Sequence, residues 1–330
     1  MENLSVDFVS VDGRVHVLND VSLHVNRGEI VGIVGESGSG KTTFGLAILR
    51  LLDSPPADVI SGSVSFDGKD IMKIEEDELW RVRGTGMNMV FQESLISLNP
   101  VYRVESQIGE SIDVTGKSKS APVSRAEKQK QMLEVLKQLC LDRPDVVLKK
   151  YPHELSGGMR QRVSIAMSIV QTPKLLILDE PTTGLDAYVQ NRILQIIRKL
   201  SREFGLSMIL ITHDLTVAAQ ICNRIYVMYA GRVVEVGRSD QILEEPLHPY
   251  SETLLAALPK GFSDSPPLPV PTGEPPDLRY LPSGCKFNPR CQYVMDICKK
   301  SEPELVAYKD RLISCWKYSD HQKVVVPQTV

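Results

Sequence analysis

No apolar run in this 330-residue sequence approaches the roughly 20 residues a helix needs to cross a bilayer. The longest, such as Ile30–Val34 and Leu175–Leu178, have only strand length. The opening, Met1 to Phe8, carries acids and lacks the apolar core of a signal peptide. These absences predict a soluble, cytoplasmic chain whose membrane association goes through a partner. A basic excess is also missing: 38 Lys and Arg face 41 Asp and Glu, for a net charge of -3, which argues against a general nucleic-acid binder. There is no internal repeat. Among six cysteines there is no C-x-x-C pair, so a typical zinc ribbon is not expected. With 42% apolar residues the chain can bury a substantial core, as one large domain or two modest ones.

Strand patterns read over residues 3–9, 21–25, 29–34 and 61–66, then at Leu175–Leu178, Ser207–Thr212 and Arg224–Met228. Helical patterns read over 42–52, Glu75–Arg83, Ala187–Phe204 and Leu215–Ile221. Over residues 105–172 strand runs disappear, and Arg125–Leu139 mixes charged and apolar residues at helical spacing, which predicts a helical subdomain. Strands alternating with helices elsewhere predict an α/β fold with a mostly parallel sheet. From Ser263 to Pro282 the proline density excludes ordinary helix or strand and predicts a stiff connector. Beyond it lies a short tail carrying Cys285, Cys291, Cys298 and Cys315. Such clustering in a cytoplasmic chain favours a metal over disulfides.

Two motifs carry chemistry on their own. Gly35-Glu-Ser-Gly-Ser-Gly-Lys41-Thr42 fits G-x-x-x-x-G-K-[ST] and sits between a buried strand and a helix. In such a loop the glycines let backbone N–H groups turn inward onto phosphate oxygens at a helix N-terminus. Lys41 supplies a cation for the β- and γ-phosphates. The Thr42 hydroxyl suits Mg²⁺, and Thr43 suits a further phosphate contact. Gly35, Ser37, Gly38, Ser39 and Gly40 complete the cradle. The second motif is the apolar run Leu175–Leu178 ending in Asp179-Glu180. Charges there need a cation or hydrogen bonds. Asp179 suits the Mg²⁺ shell, and Glu180 is placed to polarise a water that attacks the γ-phosphate.

Leu155-Ser-Gly-Gly-Met159, followed by Arg160-Gln161-Arg162, resembles the signature of the ATP-binding-cassette (ABC) ATPases. Gln92, Gly184-Leu-Asp186 and His213 resemble that family's Q-loop, D-loop and switch histidine, in the same order along the chain. The resemblance covers residues 1–260 and implies a P-loop NTPase cassette with a sheet core, a β-subdomain and a helical subdomain at about 95–172. It implies that two cassettes pack head to tail, so that ATP lies between the phosphate loop of one and Ser156, Gly157 and Gly158 of the other. Asp186 would lie at that interface. Gln92 would touch the metal or the attacking water, and His213 the γ-phosphate. An aromatic that stacks on adenine is usual near the N-terminus of the family. Between Val9 and Val25 there is no Phe, Tyr or Trp, leaving His16 as a platform, with Arg14 or Val17 as weaker candidates.

Residues 261–284 form the proline-rich linker, and 285–330 a small cysteine-rich C-terminal extension. The stretch His248-Pro-Tyr250, then Gly284-Cys285 to Pro289-Arg290-Cys291, is similar to the extension of oligopeptide/dipeptide importer ATPases. The spacing C-x5-C-x6-C-x16-C and that resemblance together imply a [4Fe–4S] cluster, with Zn²⁺ as the alternative. Many relatives place a histidine shortly before the last cysteine; Arg311 stands near that place here. The expected function is an ATPase with ATP and Mg²⁺ as cofactors, powering a peptide importer. Its expected partners are a second ATPase of related sequence, two transmembrane permease subunits and, indirectly, an extracytoplasmic substrate-binding protein. No nucleic acid is expected. The expected location is peripheral, on the cytoplasmic side of the membrane. Alternatives are an importer ATPase for a nickel complex, glutathione or an oligosaccharide, or a soluble ABC protein without a transport role.

Overall fold

The computed structural model describes residues 1–10, 13–92, 97–118, 123–257 and 273–318. Much of the expected linker, residues 261–272, lies outside them. In chain order the described elements are β1 (Glu2–Ser10), β2 (Gly13–Val21), β3 (Ile30–Val34), α1 (Lys41–Ile48), β4 (Ala57–Ser63), β5 (Ser65–Phe66), β6 (Lys69–Asp70), α2 (Glu76–Thr85), β7 (Met87–Val90), α3 (Val104–Ser118), α4 (Arg125–Gln138), α5 (Pro144–Leu148), α6 (Gly157–Ile169), β8 (Leu175–Asp179), α7 (Ala187–Phe204), β9 (Ser207–Thr212), α8 (Leu215–Ile221), β10 (Arg224–Tyr229), β11 (Arg232–Arg238), α9 (Ser239–Glu244), α10 (Pro249–Ala256), α11 (Asp296–Lys300), β12 (Val306–Tyr308) and β13 (Arg311–Ile313). They fall into two compact units. One gathers Met1–His24, Val31–Met72 and Thr212–Val330; the other gathers Val25–Ile30 and Lys73–Ile211.

In the first unit, β2-β1-β4 form an antiparallel sheet, and a second run of strands has the order β12-β13-β11-β10-β3. β10 runs parallel to β3, while β11 is antiparallel to both β10 and β13. All five residues of β3 are buried, as a strand packed on both faces requires. The expected strand at 21–25 lies instead at Gly13–Val21. Its polar side chains hid it, yet they have partners: Arg14 and His16 both meet the buried carboxylate of Asp7 across the β1–β2 ladder, at 3.1 and 2.7 Å. The expected strand at 61–66 begins earlier, at Ala57.

The C-terminal segment is fastened to this unit rather than hanging from it. β13 pairs with β11, setting Glu235 opposite Ile313. Glu235 is fully buried. Its carboxylate accepts from the N–H of Leu247 and of His248, at 3.0 and 2.9 Å, and Arg311 lies 3.6 Å away. Burial pushes the Glu235 carboxyl up from its usual range, and the hydrogen bonds it accepts together with the Arg311 charge oppose that shift. Arg311 therefore serves as the partner of a buried acid and also donates to the carbonyls of Gln241 and Glu245.

In the second unit β7, β8 and β9 are parallel neighbours, and every residue of β8 is buried. α7 buries Ile193, Leu194, Ile196, Ile197 and Leu200 along one stripe. Asp186 caps its start by accepting from the N–H of Val189, and Gly205, with φ of 61°, ends it. Between β7 and β8 the described elements are all helical. α4 is capped by Ser124, which accepts from the N–H of Glu127.

Candidate active site

The phosphate loop leaves the end of β3 and enters α1. A Cβ on Gly35 would stand 2.1 Å from the carbonyl oxygen of Met228, so no other residue fits without moving β10. Gly38 and Gly40 have φ of 79° and 96°, the left-handed region that glycine enters at little cost. The Lys41 ammonium donates to the carbonyls of Gly35 and Glu36, each at 2.8 Å, and lies 3.4 Å from the Ser39 hydroxyl. Ser37, Gly38 and Thr42 are exposed, Thr43 is half-buried, and Ser39 and Lys41 are buried. The loop thus wraps a buried cation at the start of α1. It fits a polyphosphate, and the hydroxyl of Thr42 is free to solvent-side chemistry such as Mg²⁺ ligation.

His213 lies in this first unit, just past β9. It is exposed, and Asp214 beside it caps α8 by accepting from the N–H groups of Thr216 and Val217. His16 is held by its hydrogen bond to Asp7, with 60% of its side chain exposed, so a ring surface is available at the place proposed for a base platform.

In the second unit the acidic strand end is well defined. Asp179 is only 1% exposed. Glu180 has φ of 45°, rare for a residue with a side chain and costly to hold. Its N–H donates to the carbonyl of Ile211, which pins that conformation. Its carboxylate accepts from the Thr183 hydroxyl at 2.7 Å and from the Gln92 amide at 3.3 Å. Gln92 follows β7, a strand that the short Met-Asn-Met-Val run did not reveal in the sequence. Gln92 and Glu180, distant in sequence, are therefore brought together.

The signature opens α6. Ser156 caps it by accepting from the N–H of Met159. A Cβ on Gly158 would stand 2.4 Å from the Val189 side chain, and one on Gly157 3.3 Å from Leu185. These two glycines let the start of α6 lie against the segment that carries Asp186. Asp186 itself is engaged as the cap of α7.

The four tail cysteines, with His248 and Phe287, line one cavity. Burial pushes the Cys285 and Cys315 thiols up to about 11 and lowers the His248 imidazole to about 3. His248 caps α10 by accepting from the N–H of Tyr250. Among the described residues no three His, Cys, Asp or Glu side chains are grouped to hold a single metal ion. The four thiols share one cavity and match the number of ligands a [4Fe–4S] cluster takes, but neither the cluster nor the zinc alternative is borne out by this arrangement.

Sequence reasoning gave no role to Arg290. Its guanidinium donates to both carboxylate oxygens of Glu36, at 2.8 and 2.9 Å, within the phosphate loop. Tyr250 also reaches that loop, its hydroxyl accepting from the N–H of Glu36 at 2.7 Å. The only sequence signal was position: Arg290 sits beside Cys291.

Comparison with known proteins gives the setting for this geometry. Residues 18–183 match the family described as ABC transporter, and residues 234–298 match the family described as the oligopeptide/dipeptide transporter C-terminal region. The chain belongs to the ATP-binding cassettes of ABC transporters. More narrowly, it belongs with the oligopeptide and dipeptide transport ATP-binding proteins. It is 41% identical to the oligopeptide transport ATP-binding protein OppD of Salmonella typhimurium, covering 96% of this chain and 92% of that one. It is 42% identical to the dipeptide transport ATP-binding protein DppD of Escherichia coli, covering 92% of this chain and 91% of that one. The dimeric structure of the bacterial ABC transporter cassette MJ0796 matches with a TM-score of 0.64 at 28% identity, covering 72% of this chain and 97% of that chain. A dimeric post-hydrolysis state of that cassette, bound to ADP and Pi, matches equally well.

Proposed function

We propose that this chain hydrolyses ATP to power a peptide importer, working as one of two cassettes on the cytoplasmic face of membrane permease subunits. The observation that carries the reading is the joining, on one chain, of a complete phosphate cradle, a second serine–glycine helix tip and a C-terminal region of the oligopeptide/dipeptide type. Support for the peptide substrate is the identity to OppD and DppD across nearly the whole chain. None of these features favours a nickel complex, glutathione, an oligosaccharide or a non-transport role. Among the described residues no helix is long and apolar enough to cross a membrane, so coupling has to pass through partner subunits.

In the proposed cycle the backbone donors of Gly35, Ser37, Gly38, Ser39 and Gly40 hold the phosphates, with Lys41 and Thr43 adding contacts. Thr42, Asp179 and Gln92 are the residues that would hold Mg²⁺, which on binding neutralises the developing charge on the phosphates. Glu180 orients and deprotonates the attacking water, its carboxylate steadied by Thr183 and Gln92. His213 contacts the γ-phosphate. Ser156, Gly157, Gly158 and Asp186 serve the site of the partner cassette. The partner is taken to be a related chain rather than a second copy. Cys285, Cys291, Cys298 and Cys315 would hold a [4Fe–4S] cluster, which on binding ties together a segment too small to fold on its own core.

Reconstitution of the chain with its permease subunits and substrate-binding protein in vesicles tests the reading. Peptide uptake is expected with ATP and not with a non-hydrolysable analogue, and it is expected to vanish in Lys41→Ala. Uptake that survives Lys41→Ala would reject the proposal.

A further inference from the structure

We infer that Arg290 is a positioning residue of the phosphate loop, through which the C-terminal cysteine segment sets nucleotide affinity. This rests on the reading of Gly35–Thr42 as a nucleotide cradle. Glu36 is the second residue of that cradle, and its carboxylate has the wrong charge for a triphosphate. Left unpaired, it would repel the ligand and pull the loop toward solvent. Arg290 removes that charge with a two-pronged grip, Nη1 donating to Oε2 at 2.8 Å and Nη2 to Oε1 at 2.9 Å. The Arg290 side chain is only 6% exposed and that of Glu36 25%, so the pair is poorly screened by water.

The other contacts of Glu36 show why this grip bears on the whole loop. Its N–H donates to the Tyr250 hydroxyl at 2.7 Å, and its carbonyl accepts from Lys41 at 2.8 Å. With the Ser39 N–H donating to the same carbonyl at 3.2 Å, four attachments meet at one residue, and one of them is the lysine meant for the phosphates. Arg290 is itself held from both sides. Its guanidinium lies over the rings of Tyr229 and Phe287 and reaches the Tyr229 hydroxyl at 3.4 Å. Phe287 is 2% exposed and packs against Tyr229, Tyr250 and His248. The turn Asn288–Arg290 runs between Cys285 and Cys291, whose thiols line the cysteine cavity. The Cys285 N–H also donates to the carbonyl of Cys298, which closes the segment on itself. What fixes Cys285 and Cys291 thus fixes the residue that neutralises the loop.

The test is equilibrium binding of a fluorescent ATP analogue to the full chain, with ATPase kinetics of the same proteins in complex with their permease subunits. Arg290→Ala is expected to weaken binding about tenfold and to raise KM by a similar factor while kcat changes less than about threefold. Arg290→Lys, a point charge without the fork, is expected to fall between. Removing the offending carboxylate in Arg290→Ala/Glu36→Gln is expected to recover most of the loss, a rescue that a purely structural role for Arg290 would not give. Glu36→Gln alone, which leaves Arg290 uncompensated, is expected to tighten binding about two- to fivefold. It keeps the inference testable should Arg290→Ala fold poorly. Wild-type affinity in Arg290→Ala, no recovery in the double variant, or unchanged or weaker binding in Glu36→Gln would each overturn the inference. A wild-type chain that bound no ATP would instead remove the nucleotide reading beneath it.

Discussion

The phosphate loop and the signature are both glycine-rich tips of helices, yet they need glycine for different reasons. In the loop the backbone itself is unusual: Gly38 and Gly40 occupy the left-handed region, and Gly35 lies against a carbonyl with no room for a Cβ. In the signature Gly157 and Gly158 have ordinary φ values, and their lack of side chains answers to neighbouring side chains, Leu185 and Val189. One tip is limited by its own conformation and by adjacent backbone, the other by the side chains it packs against. A requirement set by φ or by a backbone carbonyl cannot be relieved by substituting a neighbour, whereas one set by a neighbouring side chain can.

That contrast orders the expected effects of substitution. Gly35→Ala sets a Cβ against backbone in β10, and it is expected to abolish nucleotide binding in an equilibrium titration, with loss of thermal stability as the accompanying sign. Measurable affinity near the wild-type value would break the comparison at its strongest point. Gly158→Ala meets a methyl of the β-branched, stiff Val189 side chain at 2.4 Å, so about 1–3 kcal/mol of destabilisation is expected from a melting curve. Val189→Ala in the same chain is expected to restore most of it; failure to do so would place the requirement in the backbone after all. The smallest effect belongs to Ser156→Ala. Loss of the cap is expected to cost about 1 kcal/mol of stability while leaving nucleotide binding to the isolated chain unchanged.

The same contrast explains how much was legible beforehand. The phosphate loop, β3, β8, and the helices of residues 41–48 and 187–204 were readable because each is specified by local pattern: a glycine motif, a buried run, a capped amphipathic stripe. β2 was misplaced because Arg14 and His16 look like loop residues until Asp7 is known to lie across the ladder. β11 escaped because Glu235 stands within a mostly apolar strand, and the partners that explain it, Leu247, His248 and Arg311, lie farther along the chain. The grip of Arg290 on Glu36 spans 254 positions and has no local signature. The short motifs were therefore visible as loops, strand ends and helix tips. The contacts that tie the C-terminal segment to the phosphate loop were not, since they depend on which distant residues the fold makes neighbours.

Of the proposed roles, that of Glu180 as the base that activates the attacking water matters most for hydrolysis. The direct measurement is ATP binding and steady-state hydrolysis by Glu180→Gln beside the wild type, with the permease partners present. Binding within about threefold of wild type, with turnover lowered at least ~100-fold, is the predicted result. Hydrolysis by Glu180→Gln at the wild-type rate would contradict it.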